Sequence, residues 1–186
     1  MPHLRTRIAA VIAASLLAAT ATGAAVSAAA AAPHRPAVVA AEPHGGIAYL
    51  PSNFDLQPLA PNSWHSTGLQ VTLPEAGTYD LDLDVRGLVG AVPPVTAWVS
   101  AQLYNVTDSK ALPDSDRLVA HLREPVPAPG VYVDNQRTAP MSERITVDKP
   151  TTIRLEARRT GATTASRIMS DSNGKTSFRY ERVLLP

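Results

Sequence analysis

The chain has 186 residues, with 17 Lys and Arg against 16 Asp and Glu, so it carries almost no net charge. That balance, without a basic cluster, argues against a nucleic-acid or membrane-surface partner, since both gather Lys and Arg on one face. There is no Cys, which excludes a thiol nucleophile, a thiolate metal site and a lipid anchor on Cys, and leaves packing alone to hold the fold.

Residues 1–32 read as a cleaved secretory signal helix. Arg5 and Arg7 form a basic start, Ile8 to Ala25 is an apolar run, and Val26-Ser27-Ala28 offers the small residues a signal peptidase reads. The run is short and Ala-rich for a membrane span, which needs about 20 strongly apolar residues. A secreted, extracellular protein follows, with no membrane association after cleavage. Removing the two leader arginines from the 17 basic residues leaves 15 against 16 acidic ones. Residues 33–46 (PHRPAVVAAEPHGG) are rich in Pro, Ala and Gly and read as a disordered tail. Residues 47–186 are left for one domain.

That domain shows period-two patterning and no helix signals. Leu69 to Leu73 alternates apolar and polar residues, and Pro74-Glu75-Ala76-Gly77 follows as a turn. Tyr79, Leu81, Leu83 and Val85 then point one way, while Asp80, Asp82, Asp84 and Arg86 point the other. In Thr96 to Asn105, the residues Ala97, Val99, Ala101 and Leu103 form an apolar face. Arg117 to Arg123 alternates through Leu118, Ala120 and Leu122, although Val119 breaks the pattern. Glu124 to Gly130 (EPVPAPG) is a loop, because alternate Pro residues lack ladder donors. Met141 to Val147 and Thr151 to Arg159 are strands around an Asp148-Lys149-Pro150 turn, the second with Ile153, Leu155 and Ala157 inward. Asp171-Ser172-Asn173-Gly174 reads as a hairpin turn, because Asn-Gly tolerates positive φ at both corners. Thr176 to Leu184 closes the domain. About eight strands without a helical crossover mean an all-β fold, an antiparallel sandwich or barrel.

Three short stretches carry a family resemblance. Leu73-Pro74-Glu75-Ala76-Gly77-Thr78-Tyr79 resembles the PxxGxY lead-in to the third strand of the C1q/TNF-like jelly roll. Val147 to Leu155 resembles its late turn and strand, and Ser177 to Val183 its last strand. The resemblance covers about Ile47 to Leu185. It implies a non-enzymatic binding module, often a homotrimer, with the strand after the turn in the sheet that faces the trimer axis. In this chain that strand would present Asp80, Asp82 and Asp84 to the axis, where like charges repel unless a cation or Arg partners intervene.

The acidic row is the first candidate site. Neighbouring carboxylates of the row lie about 6–7 Å apart along one strand face. Calcium wants six to eight oxygens converging at about 2.5 Å, so the row would need loop carbonyls or a second strand to hold it. Otherwise Asp80, Asp82 and Asp84 pair across strands with Arg144 and Arg179. The second candidate is aromatic. Trp98 and Tyr104 share a face with Thr96, Ser100 and Gln102, and exposed aromatics of that kind stack on sugars or anchor a partner. The alternative is that they pack beneath a loop or the Tyr132 segment. Trp64 reads as a core lid. His44, His65 and His121 show no metal-ligating spacing, and no nucleophile elbow or phosphate loop is present. Asn105-Val106-Thr107 matches a glycosylation acceptor. No cofactor is implied. The function expected is a secreted binding or assembly module for an unidentified protein. Its alternatives are a carbohydrate-binding sandwich using Trp98, Tyr104 and Tyr132, and a hydrolase whose carboxylate pair the sequence does not reveal.

Overall fold

A computed structural model describes residues 44–183. The signal segment 1–32, and all of the tail but its last three residues, lie outside the described residues. The described residues form strands and turns only. They are β1 (Gly45–Tyr49), β2 (Phe54–Asp55), β3 (His65–Leu73), β4 (Gly77–Ala91) and β5 (Val95–Asn105). The remainder are β6 (Lys110–Ala111), β7 (Arg117–Glu124), β8 (Val133–Val147), β9 (Thr151–Thr160), β10 (Ala165–Ile168), β11 (Ser170–Asp171), β12 (Gly174–Lys175) and β13 (Ser177–Arg182).

The strands build two antiparallel sheets. In the first, β4 pairs β8 along one edge and, along the other, β13 with its first half and β10 with its second. β1 continues the sheet beyond β13, and β2 continues it beyond β10. The second sheet runs β3-β9-β5, with β7 and then β6 on the far edge of β5. The long strands pass between sheets in the order β1, β3, β4, β5 with β7, β8, β9, β13. That double Greek-key winding is a jelly roll: the strand pattern left a sandwich or a barrel, and the sandwich forms.

Alternation puts one side of each sheet into a shared core. Tyr79, Leu81, Leu83, Val85, Ala97, Val99, Leu103, Ile153 and Leu155, all expected inside, are buried. The Tyr79 ring meets Tyr180 edge-on at 6.1 Å, and its hydroxyl donates to the Glu75 carbonyl at 3.1 Å. Arg182 reaches the same turn, pairing with Glu75 and donating to the Ala76 carbonyl. The Pro-x-x-Gly-x-Tyr lead-in is therefore a turn tied down from two directions.

Three local readings change. β1 begins at Gly45, two residues ahead of the expected boundary, because its ladder with β13 extends to Gly45–Glu181. In β7, a register shift against β5 between Val99 and Ser100 turns both Val119 and Ala120 inward and leaves Leu118 outside at 58% exposure. Val119 breaks the alternation because the strand carries a bulge there. The expected Asp171-Ser172-Asn173-Gly174 hairpin turn forms, with Asp171 paired to Gly174, but without the positive φ expected at Asn173. The Asp171 carboxylate accepts the Asn173 amide at 2.9 Å and closes the turn as an Asx motif, which needs no positive φ at Asn173.

Candidate functional site

The outer faces of both sheets are largely satisfied by their own cross-strand pairs. On the first sheet, Arg144 grips Asp80 through two hydrogen bonds of 2.6 and 2.8 Å. That contact holds the Asp80 carboxyl below its ordinary pKa. Ser142 donates to Asp82 at 2.6 Å. Arg179 lies opposite Asp82 in register without an ion pair, so only the Arg144 half of the expected pairing forms. Asp84 lies between the uncharged Ser177 and Pro140. Among the described residues, no three His, Asp or Glu side chains converge as a metal site would require.

The second sheet buries more of its outer face than alternation suggests. Ser100 and Gln102 are covered, and the Gln102 amide donates to Glu156 at 2.9 Å. Arg154 bonds Glu156 and lies over the Tyr104 ring at 4.5 Å. Arg158 lies over Trp64 at 4.3 Å and pairs with Asp116. Trp98 packs against His121 at 6.4 Å. Trp98 and Tyr104 are thus half-buried within a ladder of neighbours. Asn105 is only 5% exposed, and its amide nitrogen donates to Asp108 at 3.0 Å, which takes the glycosylation acceptor out of reach.

The unspent apolar surface lies at one end of the sandwich. Val92, Val126, Val131 and Tyr132 are 42%, 72%, 50% and 49% exposed, four of the seven large hydrophobics exposed among the described residues. Ladder pairs bring them together. Ala91 faces Val133 and Val95 faces Glu124, so the β4–β5 turn and the β7–β8 loop sit side by side. We call this end the tip. Five prolines stiffen it: Pro93 and Pro94 in the turn, and Pro125, Pro127 and Pro129 in the loop. Val131 donates its amide to the Ala128 carbonyl at 3.1 Å, with Pro129 and Gly130 as the central pair and Gly130 at φ 79°. This is a type II turn, which wants Pro first and Gly second.

Two further contacts seat the tip. A Cβ on Gly90 would fall 2.0 Å from the Tyr132 hydroxyl oxygen, so only glycine lets that ring lie so close over β4. Asn135 donates to the His121 carbonyl at 2.7 Å and ties β8 to β7 across the sheet edges. Of the candidate residues read from the sequence, Tyr132 alone belongs to the tip. The prolines that mark Glu124 to Gly130 as a loop were the signal for the rest, but alternation cannot place two distant turns side by side.

A second feature lies at the opposite end, where Arg117 and Glu143 close the edge between β7 and β8 with a 2.7 Å ion pair. Beyond it the edges part around a cleft of about 450 Å³, lined by Leu112, Pro113, Ile145 and Val147 below and by Asp108, Lys110 and Asp148 at the rim. Lys149 at 3.0 Å holds the Asp108 carboxyl below its ordinary pKa.

No known family matches the chain, and no curated protein matches it. Among solved structures it is similar to one of infectious bursal disease virus, Gx strain, with a TM-score of 0.37 and 15% identity over 75% of this chain and 36% of that one. It is also similar to a mutant VP2 protein of that virus in derived T=1 particles, with a TM-score of 0.40 and 14% identity over 82% of this chain and 36% of that one. The chain spans little more than a third of the length of those two chains. Likeness at that level carries no argument about fold or function, which rest on the geometry above.

Proposed function

We propose that this chain is an exported, non-enzymatic β-sandwich of C1q/TNF-like type that works by binding or assembling at the cell exterior through its apolar tip. The observation that carries the reading is the gathering of Val92, Val126, Val131 and Tyr132 on two adjacent proline-rich loops. Exposed apolar groups scattered singly are ordinary, whereas a contiguous set marks an interaction surface. Proline lowers the entropy lost when such a loop docks, so the tip is prepared for binding.

The other readings have less support. A sugar platform on Trp98 and Tyr104 must contend with Arg154, which already occupies one face of Tyr104. A hydrolase needs a cleft with two facing carboxylates. In the acidic row Asp80 is committed to Arg144, and in the cleft, where Asp108 and Asp148 stand on the rim, Asp108 is committed to Lys149. For the trimer implied by the family resemblance, Arg144 and Ser142 relieve part of the repulsion expected on the axis-facing sheet, whereas Asp84 faces only Ser177 and Pro140 in register.

The test is to express the tagged protein in an exporting host, recover it from outside the cells and size it without dilution. A Val126→Asp, Val131→Asp variant is carried in parallel. The wild type is expected to run in a complex larger than one chain and the variant as a single chain with unchanged circular dichroism. Retention of both inside the cell, or identical monomeric sizes outside it, would overturn the proposal.

A further inference from the structure

The tip and the cleft lie at opposite ends of one strand. β8 leaves the tip at Val133 and reaches the cleft at Ile145 and Val147. At about 3.3 Å per residue the two are on the order of 45 Å apart. One end is convex and apolar, and the other is concave with an apolar floor. We infer that the occupant of the cleft is the tip of a second copy of this chain, so that copies join head to tail along the strand direction. This inference rests on the tip being the binding surface.

The chemistry of the two ends fits. The floor of Leu112, Pro113, Ile145 and Val147 matches the Val and Pro side chains of the β7–β8 loop. The acidic Glu124 and Asp134 flank that loop, both exposed, with Arg123 beside them. The rim of the cleft offers Lys110, 67% exposed and still 3.9 Å from Asp108, while Lys149, 51% exposed, binds the same Asp108. Asp148 also stands on the rim, so net charge alone does not drive the contact. The apolar floor supplies attraction, and Lys110 against Glu124 or Asp134 supplies register. A cleft of about 450 Å³ takes two or three side chains. The interface is therefore small, and association at micromolar concentrations or weaker is expected. Because the two surfaces differ and lie at opposite ends, the contact is heterologous and leaves a free end on every oligomer, giving rings or open filaments rather than a closed pair.

Two variants at exposed positions separate this arrangement from the alternatives. Val126→Asp, Val131→Asp removes the tip and leaves the cleft. Lys110→Glu, Pro113→Asp removes the cleft and leaves the tip. Sedimentation velocity is run on each from low to high micromolar concentration, with circular dichroism confirming the fold. The wild type is expected to grow past dimer with concentration, and each variant alone to associate at least about tenfold more weakly, as loss of a central apolar anchor implies. A mixture of the two variants has one intact tip and one intact cleft per pair, so it is expected to form a dimer and grow no further. If the cleft variant assembles like the wild type while the tip variant does not, tips meet tips, and the inference fails while the tip remains the binding surface. If the purified wild type stays monomeric throughout although the undiluted secreted protein runs in a larger complex, the inference fails and the partner is another molecule; monomers in both measurements overturn both proposals. If both variants assemble normally, neither surface is involved and both proposals fall.

Discussion

Two glycines with the same substitution should separate the rigid body of the fold from its tip. At Gly161, φ is +88°, and a Cβ would fall 2.4 Å from the Thr96 carbonyl oxygen and 2.9 Å from the Ala97 Cα. Both obstacles are backbone of β5, which cannot move without disturbing the second sheet. Alanine in the left-handed region costs about 1–2 kcal/mol, and forcing atoms into a packed site adds about 1–3 kcal/mol. Gly161→Ala should therefore cost about 2–5 kcal/mol. At Gly90 the nearest obstacle is the Tyr132 hydroxyl at 2.0 Å, the far end of a side chain that is already half exposed. Tyr132 can swing away. The loss is about half of the roughly 1.5–3 kcal/mol that burying a large side chain supplies, partly offset by the 0.4–1 kcal/mol or so that alanine gains by restricting the unfolded chain. Gly90→Ala should thus cost no more than about 1 kcal/mol while loosening the tip. Urea unfolding followed by far-UV circular dichroism measures both. Equal costs at the two positions would refute the reasoning, since they would mean that Tyr132 is held as firmly as a core strand.

Other substitutions test the remaining assignments. Leu83→Ala empties a site 3% exposed between the sheets and should cost about 2–5 kcal/mol in the same urea assay, whereas the adjacent, exposed Asp82→Asn should stay within about 0.5 kcal/mol. Calcium and a chelator should give the same melting temperature and the same sedimentation mass, because no three carboxylates converge among the described residues and Asp80 is held by Arg144. Protein secreted from a glycosylating host should show no glycan mass at Asn105 in mass spectrometry, since Asp108 binds that amide. Acid should weaken the fold. Asp80, Asp108 and Asp171 have pKa values lowered in the folded state by Arg144, Lys149 and Arg86 in turn, so the unfolded chain binds protons first. Their contribution is intact above the ordinary carboxylate range near pH 4 and fades as pH falls through and below it. Urea midpoints at pH 6 and pH 3 should therefore differ less in an Asp80→Asn, Asp171→Asn variant than in the wild type.

What the sequence reveals of this fold is what alternation carries. The parity of β4 identifies Tyr79, Leu81, Leu83 and Val85 as inward, since a strand between two neighbours of one sheet over one core has no other solution. Alternation misleads where the ladder slips. The bulge in β7 moves Leu118 out and Val119 in, and it depends on how β7 meets β5, which no local pattern records. Burial on the outer face of β5 is hidden for a related reason. Ser100 and Gln102 are polar and alternate correctly, yet side chains from β9 lie over that face. The tip was half legible. Its prolines exclude the β7–β8 loop from a sheet, but its closeness to Val92 depends on two ladders joining residues about thirty or more positions apart in the chain.

The distribution of charge explains why binding should fall at the ends of the sandwich rather than on its faces. Without Cys, stability rests on apolar burial and on cross-strand pairs, and these pairs occupy the faces: Asp80 with Arg144, Glu156 with Arg154 and Gln102, Asp116 with Arg158. A partner docking flat on either face would have to desolvate or break such pairs, and that cost grows with each charge left unmatched. The tip carries less of this burden, and at the cleft the pairs of Asp108 with Lys149 and Lys110 stand at the rim rather than across the apolar floor. At the tip, exposed Val and Pro side chains meet solvent without any ion pair beneath them. At the cleft, the core reaches the surface between two sheet edges that no longer meet. A molecule with an apolar projection at one end and an apolar recess at the other, with paired charges between, has its least costly contacts along its own long axis.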